Sequence, residues 1–188
     1  MDQAQRYKEL AARTEGKTLD SSYHAAFYLL SCEQGIFDVA KKHVNAMGIG
    51  FDGLKRSLRG FDETSLQIVE IAHNLFKWTG KCKVTPFDIS RMGYPYMEQV
   101  CNAIWIASGE VKVQIRDAEN REPELFLDSK SYQRTQRLHS RMEQMYTEML
   151  ESSEDMGMGM GEQNGGIGIE MFGEPDEDME MERERRRL

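Results

Sequence analysis

The stretch DETSLQIVEIAHNLFKWTG, residues 62–80, decides the fold class. Asp62 stands where a carboxylate can accept from the free N–H groups of a first helical turn. Ile68, Val69, Ala72, Leu75 and Phe76 then recur at helical spacing, and Gln67, Glu70, Asn74 and Lys77 fall on a polar stripe opposite them. Gly80 closes the run. The spacing predicts an amphipathic helix from Asp62 to Thr79, whose apolar face requires neighbours to cover it.

Upstream, the same period recurs. Asp2 to Arg13 reads as a short, fraying, polar-rich helix with Leu10 and Ala11 on one side. Asp20 caps a second helix carrying Tyr23, Ala26, Phe27 and Leu30. After Gly35, the residues Ile36, Phe37, Ala40, Val44 and Met47 predict a third that ends at Gly48. A loop and a short helix around Leu54 and Leu58 follow. Downstream, Thr85-Pro86 opens a helix with proline in the first turn, where its missing N–H costs nothing. Tyr96 to Ser108 carries Met97, Val100, Cys101, Ala103, Ile104, Trp105, Ile106 and Ala107 with little polar surface. Such a helix is predicted to be the central one.

Past Gly109 the period changes to two. Val111, Val113 and Ile115 alternate with Lys112, Gln114 and Arg116, and Leu125 to Leu127 offer a returning strand. A lone strand pair is marginal, so this hairpin near residues 110–127 would have to lean on the helices. Ser129 to Glu151 places Leu138, Met142, Met145 and Met149 at i, i+4, i+7 and i+11 on an otherwise polar helix. That narrow seam predicts one contact, either with the bundle or with another copy of the chain. The fold class expected is therefore mainly α: a multi-helix bundle with a short β-hairpin and a disordered tail. Three segments follow, a helical core over 1–116, a connecting segment and last helix over 117–151, and a tail over 152–188.

The chain's 188 residues carry a formal charge of −8, but that charge is unevenly placed. Residues 152–188 hold 11 acids and 4 arginines, a net of −7, whereas residues 1–151 carry only −1. The tail also holds seven of the 16 glycines and six of the 13 methionines. Glycine makes backbone ordering entropically costly, and few branched or aromatic side chains offset it, so the tail is predicted to be disordered. Its apolar island, Ile167, Ile169 and Phe172 with Met171 between, either docks on a partner by coupled folding or is inert.

Catalytic arrangements are scarce. His24, His43, His73 and His139 are scattered, Cys82 and Cys101 have no CxxC neighbours, and no metal site or cofactor is expected. Gly48 to Gly53 follows a helix and lacks the Lys-Ser/Thr of a phosphate cradle. Three cysteines at wide spacing suit free thiols in a reducing cytoplasm. No run of eighteen apolar residues and no secretory leader is present, so neither membrane insertion nor secretion is expected. Arg134, Arg137 and Arg141 form a basic stripe just before the acidic tail. Trp78, Tyr94, Tyr96 and Trp105 with Lys77, Lys81, Lys83 and Arg91 offer a stacking surface as an alternative to core and solvated loop.

Four motifs also carry a resemblance. His24-Ala25-Ala26-Phe27-Tyr28-Leu29-Leu30-Ser31, Ile71-Ala72-His73-Asn74-Leu75-Phe76, Val84-Thr85-Pro86-Phe87-Asp88 and Cys101-Asn102-Ala103-Ile104 occur in that order. Residues 18–116 so resemble an uncharacterised family of small helical proteins from Gram-positive bacteria, their phages and mobile elements. The resemblance implies a mostly helical cytoplasmic protein of phage or mobile-element origin and transfers no catalytic or binding residue. The 117–151 segment and the tail have no counterpart in that pattern. The function expected is a non-enzymatic protein-interaction or assembly role, with a partner or a second copy engaged through Leu138, Met142, Met145 and Met149. The alternative is a nucleic-acid-binding regulator that uses Arg134, Arg137 and Arg141, with the tail autoinhibitory.

Overall fold

The computed structural model describes residues 1–15, 17–77, 79–116 and 123–155, the last three by backbone alone. Helix α1 (Gln3–Ala12) starts where the Asp2 side chain accepts from the Gln5 N–H. It buries Ala4, Tyr7 and Leu10, and also Arg6, so the expected fraying helix has a packed face. The Arg6 guanidinium donates to the carbonyls of Ser31 and Cys32 at 2.7 and 3.1 Å. Those carbonyls close α2 (Ser21–Leu30), and a cation there complements the helix dipole.

Helix α2 is the most fully buried of the described helices. Asp20 caps it, and all six residues from Ala25 to Leu30 are buried. The apolar stretch Tyr96–Ser108 was the expected centre, and the structure corrects this. Helix α3 (Gln34–Ala40) is shorter than its pattern predicts. Val44 and Met47 leave it for a two-residue hairpin, β1 (Val44–Asn45) with β2 (Gly48–Ile49), antiparallel in the register Val44↔Ile49. The Asn45 side chain accepts the Met47 N–H at 2.8 Å, a local bond that competes with helix continuation. Val44 thereby stays buried, while Met47 turns outward.

Helix α4 (Phe51–Ser57) buries Phe51 and Leu54, with Leu58 following. Helix α5 (Glu63–Phe76) lies within the stretch that decides the fold; Asp62 accepts the Ser65 N–H, and Ile68, Val69, Ile71 and Ala72 are buried. The short α6 (Pro86–Ser90) has a complete capping box between Thr85 and Asp88. Helix α7 (Tyr96–Ala107) packs by Val100, Ala103 and Ile106, leaving Met97, Ile104 and Trp105 exposed.

Strands β3 (Lys112–Arg116) and β4 (Glu124–Asp128) pair antiparallel, with Val113 opposite Leu127 and Ile115 opposite Leu125. These four residues share one face, which packs against the helical core as a lone hairpin requires. Helix α8 (Lys130–Asp155) follows. The fold is mainly helical with two small antiparallel strand pairs. The chain divides into two units, Met1–Met142 and Glu143–Leu188, the division falling within α8. The tail expected to be disordered lies outside the described residues beyond Asp155; the helix itself runs past Ser152, where the composition changes.

Candidate interaction surface

Residues 130–152 of α8 are all exposed. A helix of this length ordinarily owes its stability to packing one face on something apolar, because propensity alone leaves it marginal. Here Leu138, Met142, Met145 and Met149 are each about 60% exposed, on one stripe of one helix. Tyr146 and Leu150 widen the stripe at 63% and 49% exposure, a breadth that the four-residue seam read from the sequence misses. Both lie one residue beyond a seam methionine, and their spacing marks them as its shoulder.

Arg134, Arg137 and Arg141 are exposed on the same helix, beside the seam. At its N-terminal end, Tyr132 stacks on Trp105 of α7 with ring centroids 5.8 Å apart. Of the residues proposed for stacking on bases, Tyr94 is exposed, Tyr96 packs on the core, and Trp78 lies outside the described residues. Trp105 is half exposed, against the reading of it as core. Ile167, Ile169 and Phe172 also lie outside the described residues.

A half-open cavity of about 340 Å³ is lined by Leu19, Ser21, His24, Ile106, Val111 and Val113, among others. Its chemistry is muted. Burial raises the Tyr7 phenol pKa, so the hydroxyl stays protonated, and it shares a hydrogen bond with His24 Nδ1. Burial also lowers the His24 pKa, against the opposing pull of Asp20 and the Leu19 carbonyl, and the imidazole is neutral at neutral pH. Ser21 Oγ donates to the Ala107 carbonyl at 3.0 Å, not to His24, so no activated nucleophile forms there.

The Cys32 thiol, pushed up to about 12 mainly by burial, remains protonated. Among the described residues no group of three or more His, Cys, Asp or Glu side chains is placed to hold a metal ion. No described helix is long and apolar enough to cross a membrane. Comparison with known proteins returns no match to a family model, a curated protein or a solved structure.

Proposed function

We propose that this protein is a non-enzymatic interaction protein, in which a folded helical body carries α8 as a docking element for a protein partner, either another protein or a second copy of the chain. One observation supports the reading above others: a 26-residue helix holds Leu138, Met142, Met145 and Met149 in register, with every one of these side chains in solvent. An exposed apolar seam of this kind marks a protein contact. An assembly or accessory role in a phage or mobile element, implied by the resemblance over residues 18–116, is one form of it. The free thiols of Cys32, Cys82 and Cys101 suit a cytoplasmic setting.

Affinity capture with the full chain tests the reading, comparing wild type with Leu138→Glu/Met145→Glu and identifying what is retained. Loss of the retained protein in the variant, with helicity of the body unchanged, is the expected result. Equal recovery by both overturns it. The exposed basic stripe favours a second reading, as a nucleic-acid binder. It requires binding to DNA or RNA with a steep salt slope that Arg134→Glu/Arg137→Glu/Arg141→Glu removes.

A further inference from the structure

The two shoulders of the α8 seam differ in chemistry, and the difference selects an occupant. Successive helical residues turn by about 100° around the axis. With Leu138, Met142, Met145 and Met149 along the centre, Arg134, Arg141 and Glu148 fall on one shoulder and Tyr132, His139 and Tyr146 on the other. All six are exposed. The charged shoulder is thus basic in the N-terminal half of the helix and acidic toward its far end.

From this pattern we propose that the partner of α8 is α8 of a second copy, packed antiparallel about a two-fold axis between residues 143 and 144. The proposal rests on the reading of α8 as a docking helix and names its occupant. In an antiparallel pair each shoulder meets its own counterpart, whereas in a parallel pair each meets the opposite one. Antiparallel packing places Met142 opposite Met145 of the second copy and Leu138 opposite its Met149, so each of these layers is apolar. The same register sets Arg141 beside Glu148 of the second copy, and symmetry repeats this pair. On the other shoulder His139 meets Tyr146. A parallel pair would instead set Arg141 against Tyr146 and Arg134 against His139, with no opposite charge for either arginine. The apolar seam supplies the attraction and the charges set the direction, as in paired helices generally.

Sedimentation equilibrium of the full chain over a concentration series tests this. Wild type is expected to dimerise. Arg141→Glu sets like charges together twice in the dimer, as does Glu148→Arg, and each change weakens association by about ten-fold at low salt. The double variant Arg141→Glu/Glu148→Arg restores opposite charges across the pair, and with them association to within about three-fold of wild type. A wild type that stays monomeric at every concentration overturns the proposal. So does a double variant no better than either single one, because residues 141 and 148 then do not meet. Monomeric wild type together with a retained protein that Leu138→Glu/Met145→Glu loses sinks self-pairing and leaves the docking reading standing. All these positions are exposed in the single chain, and circular dichroism of each variant confirms that the body is folded.

Discussion

His24 and Arg6 show how polar groups are accommodated against a helical core. Arg6 is 8% exposed, and it holds the carbonyl end of α2 by charge-assisted bonds, which are stronger than neutral ones. His24 is kept neutral by burial and shares a hydrogen bond with Tyr7. Burial lowers the His73 pKa as well, with Lys55 adding to the effect. Both histidines have folded pKa values below the ordinary 6.5, so below that pH the unfolded chain binds more protons than the folded one. Their stabilising contribution is therefore complete above 6.5 and is lost as pH falls through 6.5 toward the lowered folded values. Urea midpoints measured from neutral pH down to about pH 5.5 should fall for wild type and fall less for His24→Gln. An equal fall in both would remove His24 from the account.

Among elements, the β1–β2 hairpin and the exchange of roles between α2 and α7 are what the sequence pattern misses. The helical spacing of Ile36, Phe37 and Ala40 does extend through Val44 and Met47, and periodicity alone cannot see the Asn45 side chain taking the Met47 N–H. Gly48 has φ +126°, a left-handed conformation that L side chains avoid, and an added Cβ would stand 2.9 Å from the Tyr23 hydroxyl. Gly48→Ala is therefore expected to destabilise the fold by about 1–3 kcal/mol in chemical denaturation. No measurable change would mean that the hairpin rearranges freely. For α7, eight small or apolar residues in twelve positions suggested burial all round. Only the Val100, Ala103 and Ile106 face reaches the core, because α2 already fills it with Phe27, Leu29 and Leu30. A helix's own pattern says how much apolar surface it has, and its neighbours decide how much of that is covered.

At the scale of the whole molecule, stability and interaction reside in different residues. The core is built mainly from α1 to α5 and α7, with α6 and the β3–β4 face against it, and no residue from 130 to 152 belongs to it. Leu138→Glu/Met145→Glu should thus leave the unfolding free energy of the monomeric body within about 0.5 kcal/mol of wild type, measured by tryptophan fluorescence in urea at low protein concentration. A larger loss would mean that the seam packs on the body. Much of this organisation is legible in the sequence: Asp2, Asp20, Asp62 and Thr85 each mark a helix start that the structure realises, and the change from period 3.6 to period 2 after Gly109 locates β3 and β4. These signals are local, set by a cap or by alternation within a few residues. The candidate surface was half legible for the same reason. The spacing of Leu138, Met142, Met145 and Met149 defines a seam, but spacing is identical for a buried stripe and an exposed one.

By itself, then, the sequence determined a mainly helical chain, most of its helix starts, the hairpin after Gly109, and an apolar stripe on the last helix, because capping and periodicity are written in neighbouring residues. Only the tertiary structure decided that α2 and not α7 is the most fully buried helix, that Val44 belongs to a strand pair, and that the α8 stripe stands in solvent. Burial is a competition among elements distant in sequence for the same interior volume, and no single element's pattern records its outcome.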